Sequence, residues 1–339
     1  MRGQPRSVDD AGSGRVSRRR VLFLYNATDW AIHNVGRDWA ALAADTHAFT
    51  LQRFGAHESL DPTAFDHVVW GYSTLGYSGR LLLASLMRRA TGVLRWRRVD
   101  PARACAVVQD PSEVFPERPD WRSAAPRLDG LGRFGRVAVT SNEMRVALEA
   151  LGLHVTQVDT RSLLPVRDPA SIAEEPVRAF TRAREYPRKN LGLFRSIQRD
   201  AGALVERCDA WLGAAVQPLA DYAAAVDRYN CYICTSWQEG GPLPLADALR
   251  RGCVALTTRV GQTDHWVVDG ENGFFCEHEA EFVERLRQLQ HDPALFLKMR
   301  RNALDRARDT GDARVRAQIQ AFLPCRPARR PQASRRRRQ

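Results

Sequence analysis

Thr235-Ser236-Trp237-Gln238-Glu239-Gly240-Gly241-Pro242-Leu243-Pro244-Leu245-Ala246-Asp247-Ala248-Leu249-Arg250-Arg251-Gly252 reads as a strand end, a glycine turn and a helix start. Gly240 and Gly241 permit backbone conformations that other residues resist and let a ligand come close to the main chain, while Pro244 suits the first turn of a helix. The free amides of that helix start favour an anion such as phosphate. Glu239 falls on the turn and Asp247 about one helical turn further on. Two carboxylates so spaced suit the hydroxyls of a sugar or ribose, since one acid accepts from two of them. The spacing alone is equally compatible with solvated acids beside an ordinary turn.

Working outward, Tyr229 to Thr235 is a short apolar run that predicts a buried strand. Its Cys231 and Cys234 are then expected on opposite faces, which argues against a zinc site with Cys253 and Cys276 despite the CxxC spacing. Further strands are predicted at Val254 to Thr257 and helices at Pro244 to Arg251, Glu279 to Gln290 and Lys189 to about Arg207. Upstream, Arg20-Val21-Leu22-Phe23-Leu24-Tyr25-Asn26 has the look of a central parallel strand. Thr28 or Asp29 then caps a helix carrying Ile32, Val35, Trp39, Leu42 and Ala43. Strands at 66–72, 104–109, 136–140 and 154–158 follow, with helices at 78–89 and 142–151. Alternation of this kind predicts parallel sheets. A Pro- and charge-rich passage from Leu164 to Pro176 interrupts it and marks a linker.

Composition supports two such units. The chain has 339 residues, 44% of them hydrophobic, enough for two cores. The formal charge of +12 is concentrated at the ends: residues 1–20 hold six Arg against two Asp, and residues 326–339 hold seven Arg and no acid. The body is nearly neutral, which excludes a general nucleic-acid groove. No apolar stretch approaches the roughly 20 residues of a membrane span, and none follows the charged N-terminus as in a secretory signal. Seven scattered cysteines point to a reducing compartment.

The quoted stretch resembles the Glu-x7-Glu signature of the retaining glycosyltransferase family 4 superfamily, with Asp247 standing in for the second Glu. Gly252 to Gly261 is similar to that family's Gly-x-Pro-Val strand and Val-Gly-Gly turn. Asp269-Gly270-Glu271-Asn272-Gly273-Phe274-Phe275 resembles its Asp-Gly-x-Asn-Gly-Leu-Leu hairpin, and His291-Asp292-Pro293 with Met299 and Ala303 its late helices. The match covers about residues 218–308 in the right order. It implies a GT-B fold, two Rossmann-like domains with parallel sheets facing a central cleft: a basic tail (1–20), an acceptor domain (21–165), a nucleotide-sugar donor domain (166–322) and an Arg-rich tail (323–339).

By the same resemblance, Glu239 faces the donor sugar, Asp247 holds the ribose, and Gly240, Gly241, Pro242 and Leu243 line the phosphate and sugar pocket. Arg182-Ala183-Arg184-Glu185-Tyr186-Pro187-Arg188-Lys189-Asn190 is similar to the family's strand-end Arg followed by Lys-Gly. Lys189 is therefore expected to stabilise the departing diphosphate, with Arg184 as its partner and Arg182 as second choice. An enzyme without a metal must supply that charge from Lys or Arg.

No cofactor is expected beyond the nucleotide-sugar donor substrate, and no metal. The acceptor, whether glycan, lipid or small molecule, is expected in the first half, where the match is poorest. Asn26 to Trp30 lacks the family's glycines, and Gln109-Asp110 stands where it has a His. Asp110 is read as a turn cap, His33 as a surface or packing residue, and His265 as either structural or close to the donor. The expected location is cytoplasmic and peripheral at the membrane, the arginine tail either attaching to an anionic surface or merely solubilising. Competing readings are a pseudoenzyme of the same fold, a nucleotide-sugar epimerase, a phosphorylase, for which neither Lys189 nor Lys298 has an obvious pyridoxal setting, and a polyanion-binding protein acting through its tails.

Overall fold

A computed structural model describes residues 18–25, 31–53, 60–71, 99–126, 131–162, 164–207, 219–308 and 311–325. Among the described residues, six strands build the first half: β1 (Arg19–Tyr25), β2 (His47–Arg53), β3 (His67–Gly71), β4 (Ala104–Val108), β5 (Arg136–Val139) and β6 (Val155–Gln157). All pair in parallel in the order β2-β1-β3-β4-β5-β6. The second half holds β7 (Ala179–Thr181), β8 (Val205–Arg207), β9 (Cys231–Cys234), β10 (Val254–Thr257) and β11 (Gly273–Phe275), also parallel, in the order β11-β10-β9-β7-β8. Parallel strands are covered on both faces, and so the central ones read as unbroken apolar runs. Residues 21–24 of β1 and all of β4, β9 and β10 are buried.

The helices are α1 (Ala31–Leu42), α2 (Asn142–Glu149), α3 (Leu191–Ala201), α4 (Leu219–Val226), α5 (Leu243–Arg250), α6 (Thr263–Trp266), α7 (Glu279–His291), α8 (Pro293–Arg308) and α9 (Asp312–Phe322). The expected face of α1 is the buried one: Ile32, Val35, Trp39 and, just past its end, Ala43 pack on β1. Period-2 alternation splits β9 as expected. Cys231 and Ile233 join one core with Val254 and Leu256, Tyr232 and Cys234 the other with Leu245 and Ala255. No cluster of metal-ligating side chains occurs among the described residues. No described helix is long and apolar enough to cross a membrane.

Several expectations shift. The helix foreseen over 189–207 is interrupted at Gly202, whose φ of +61° ends α3, and the last residues are the edge strand β8. Strand β2 was not foreseen: it is an edge strand with polar residues on its exposed side. The stretch at 269–275 is a turn rather than a hairpin. Gly270 takes φ +75°, the Asn272 side chain accepts from Val268 N and donates to Trp266 O, and the chain leaves in β11, parallel to β10. The helix foreseen at 78–89, the cap at Thr28 or Asp29 and both arginine-rich ends beyond residues 18 and 325 lie outside the described residues.

The chain crosses between the halves twice. After β6 it runs through 158–178 into β7, and α9 then carries it back. Val315, Ile319, Phe322 and Leu323 lie in the core with Val21, Phe23 and Trp39, and the Trp39 and Phe322 rings meet edge to face at 5.7 Å. A donor-domain boundary at 322 therefore assigns to the second half a helix that packs with the first.

Candidate functional site

Sheet order reverses between β7 and β9: β8 lies outward from β7 on one side, while β9 to β11 extend on the other. Ligands of open α/β sheets bind at the carboxyl ends of the strands flanking such a point. Two loops leave there, Arg182–Asn190 after β7 and Thr235–Pro242 after β9, and they are tied together. Thr235 Oγ1 donates to Lys189 O at 3.0 Å and Trp237 N to Arg188 O at 3.0 Å. Asn190, at φ +49°, turns the chain from Lys189 into α3, a left-handed conformation that asparagine tolerates better than most residues.

The loops bring Lys189 and Glu239 into contact: Lys189 Nζ donates to Glu239 Oε1, which also accepts from Ser236 Oγ at 2.7 Å. Glu239 is only 4% exposed. A carboxylate so enclosed is tolerated because a cation and a hydroxyl hold it.

Asp247 sits on α5, buried, with both oxygens engaged: Ser162 Oγ donates to Oδ1 and Tyr222 Oη to Oδ2, the latter at 2.9 Å. Burial pushes its carboxyl above the usual range, and the two hydroxyl donors pull it partly back. The Arg182 guanidinium lies 4.4 Å over the Tyr222 ring, a cation–π contact that links the strand end to the same group. Arg184, expected to be the partner of Lys189, is exposed.

A cation the sequence reading passed over is Arg188. Arg188 Nε lies 3.4 Å from Asp110 Oδ2 and Arg188 Nη1 3.6 Å from Glu117 Oε1. Burial lowers its affinity for the proton, but the charges of Asp110, Glu239 and Glu117 more than offset this, and the net shift is upward. Asp110 does cap a turn as read, accepting from Ser112 N at 3.0 Å, and it holds Arg188 as well.

The two halves meet at the glycine loop. A Cβ on Gly240 would overlap Gln109 O, and one on Gly241 would stand 2.5 Å from Thr160 Oγ1. What approaches these glycines here is the backbone and side chains of the first half. Gln262 Nε2 donates to Thr140 O and to Thr160 Oγ1, Gly261 N to Glu143 Oε2 at 3.2 Å, and Gln238 Nε2 to Pro116 O at 3.3 Å. Among the described residues, Gln238 Oε1, Gln262 Oε1 and Trp237 Nε1 are buried without a hydrogen-bond partner. Below the seam, Glu113 Oε2 accepts from Gln109 N at 3.1 Å. Burial, then the charge of Asp110, raises its carboxyl well above the usual range.

Arg188, Tyr222, Ser162 and Gln262 were missed. Arg188 lay inside the quoted 182–190 stretch but one residue off the motif's spacing. Ser162 is 85 residues from the Asp247 it touches and carried no signal. His265 lies beside Arg314, Nδ1 at 2.9 Å from Nη2, and the His33 ring meets Tyr25 in a tilted contact with centroids 4.4 Å apart.

Residues 217–309 match the family model described as glycosyl transferases group 1. No curated protein matches the sequence. Among solved structures, HepE of Anabaena in complex with UDP is similar at 13% identity and TM-score 0.61, over 90% of this chain and 99% of that one. Sucrose-phosphate synthase from Thermosynechococcus elongatus is similar at 12% identity and TM-score 0.57, over 90% and 95%. A TarM mutant of S. aureus, in complex with Fondaparinux, alpha-GlcNAc-glycerol and UDP, gives 11% identity and TM-score 0.54, over 76% and 55%. The chain thus spans little more than half of the TarM chain.

Proposed function

We propose that this chain, which has a GT-B fold and whose residues 217–309 match the group 1 glycosyl transferases, moves a sugar, with retention at the anomeric carbon, from a nucleotide-sugar donor to an acceptor held against its first half. The observation that carries the reading is the enclosed Lys189–Glu239 pair on the loops that follow β7 and β9, with Glu239 inside the matched residues 217–309. In the free protein the two charges satisfy each other. With donor bound, Lys189 turns to the diphosphate and Glu239 to the sugar hydroxyls. Positive charge aimed at the leaving diphosphate develops its full value where water is excluded. Arg182 and Arg188 supplement Lys189, and Arg184 stays at the surface.

Metal independence is part of the proposal, since these cations provide the charge that a divalent ion would otherwise bring. Asp247 retains the ribose role with altered geometry, its shorter side chain steadied by Tyr222 and Ser162. The complexes of HepE with UDP and with UDP-glucose make UDP-sugars the first donors to try. The test is a hydrolysis and transfer screen across nucleotide sugars with EDTA present. Turnover of at least one donor is expected; turnover that appears only after manganese is restored overturns the metal-independent mechanism.

Residues 326–339, with seven arginines and no acid, are proposed to attach the protein peripherally to anionic membranes on the cytoplasmic side. Each arginine contributes about 1 kcal/mol near such a surface, an attraction that fades with salt. Co-sedimentation with anionic vesicles that is lost on truncation at 325 and at high salt supports this; equal sedimentation of both forms rejects it.

A further inference from the structure

Behind α5, where both crossovers pass, lies a cavity of about 190 Å³. Its walls come from 159–162 after β6, from Ala246, Leu249 and Arg250 of α5, from His265 and Trp266, and from the α8–α9 junction with Arg306 and Arg314. None of Lys189, Glu239, Arg182, Tyr222 or Asp247 lines it, although Ser162 and Thr160 of its wall also touch Asp247 and face Gly241, respectively.

Four arginines line this cavity, and two of them are neutralised. Arg161 pairs with Asp38 and Asp312 at 2.6 and 2.5 Å, and Arg314 pairs with Asp159. Asp159 is fully used, accepting also from Gln157 at 2.6 Å and Gln318 at 3.1 Å. Arg250 and Arg306 form no ion pair among the described residues. Arg250 Nε donates to Leu164 O and Arg306 Nη2 to His265 O at 2.8 Å, both neutral carbonyls. Burial, then the neighbouring Arg161 charge, holds the Arg250 guanidinium below its ordinary proton affinity. Two arginines without an ion pair thus line one cavity whose wall is otherwise largely apolar, an arrangement that suits a phosphate carried on a short carbon skeleton.

We propose that this cavity binds a small phosphate-bearing molecule through Arg250 and Arg306, separately from the sugar-donor cleft. The volume is below the roughly 300–1,000 Å³ of pockets for larger ligands, which admits a phosphate group on a short carbon skeleton and excludes a whole nucleotide. Because the walls belong to both halves and to both crossovers, an occupant ties them together and stabilises the folded chain by mass action.

The test is a thermal-shift titration of the full chain with inorganic phosphate and, in parallel, glycerol phosphate, ionic strength being held constant with chloride. Wild type and Lys189→Met, which disables the donor diphosphate site, are expected to gain stability alike from at least one probe. Arg306→Gln, at an exposed side chain whose loss leaves the core intact, and Arg250→Gln/Arg306→Gln are expected to need at least tenfold more probe. The proposal is overturned if neither probe shifts wild type, if Arg306→Gln responds as wild type does, or if Lys189→Met abolishes the response and so moves the phosphate to the donor cleft.

Discussion

Arg188, on the loop that follows β7, and Asp110, on the loop that follows β4, lie 3.4 Å apart across the seam between the two halves. Arg188 is also the counter-ion of Glu117 and stands near Glu239, so one guanidinium serves three carboxylates. Arg188→Gln removes the cation that pairs with Asp110 and Glu117 in a partly buried place, while Glu239 keeps Lys189. Breaking such an arrangement from one side costs about 3 kcal/mol. Urea unfolding of the variant is expected to show that loss, with a larger radius of gyration in solution scattering as the seam opens. An unchanged midpoint and radius would dismiss Arg188 as a clamp.

Glu239→Gln keeps the shape of the side chain and removes its charge. Transfer is expected to fall at least tenfold, about 1.4 kcal/mol of transition-state stabilisation. Steady-state kinetics with a donor identified by the screen decides it, and wild-type turnover would remove Glu239 from the chemistry.

Gly240→Ala separates fold from closure. The added methyl has no room against Gln109 O, so the halves must part by an ångström or more, while each sheet is untouched. Near-native circular dichroism with transfer reduced about a hundredfold is the expected pair of results, since small misplacements of reacting groups are costly. Full activity would mean that catalysis does not use the closed seam.

Glu113 makes stability depend on pH. Its carboxyl holds a proton more tightly in the folded than in the unfolded chain, so between its ordinary value near 4.5 and its raised value the folded state binds more protons. Stability therefore falls as pH rises through that window. Glu113→Gln, which cannot ionise, is expected to flatten the decline and to be more stable than wild type at pH 7. Parallel pH profiles of the urea midpoint for the two proteins would contradict this.

Legibility followed the range of the forces involved. Strands β9 and β10 and the loop between β9 and α5 were readable because burial on both faces and a glycine turn leave local marks in sequence. The Glu239 and Lys189 positions came from a motif, and the contact between the two is a separate fact that the motif does not state. Strand β2 escaped because an edge strand keeps polar residues, and Gly202 marked the end of α3 only once its positive φ was known. Tyr222 and Ser162 were illegible in principle: they reach Asp247 from 25 and 85 residues away, and nothing in their own neighbourhoods records the encounter. That Arg184 is exposed while Arg182 lies over Tyr222 is likewise not recorded by spacing along a loop.

The return of α9 onto β1 also fixes an order of events during synthesis. Val315, Ile319, Phe322 and Leu323 belong to the same core as Val21 and Trp39, nearly three hundred residues earlier. A ribosome delivers the sheet of the first half long before the helix that seals it, so that face of β1 and α1 stays uncovered while the whole second half emerges and folds. During that interval the nascent first half offers bare apolar surface to chaperones and to its neighbours on the polysome, and only the last helix withdraws it.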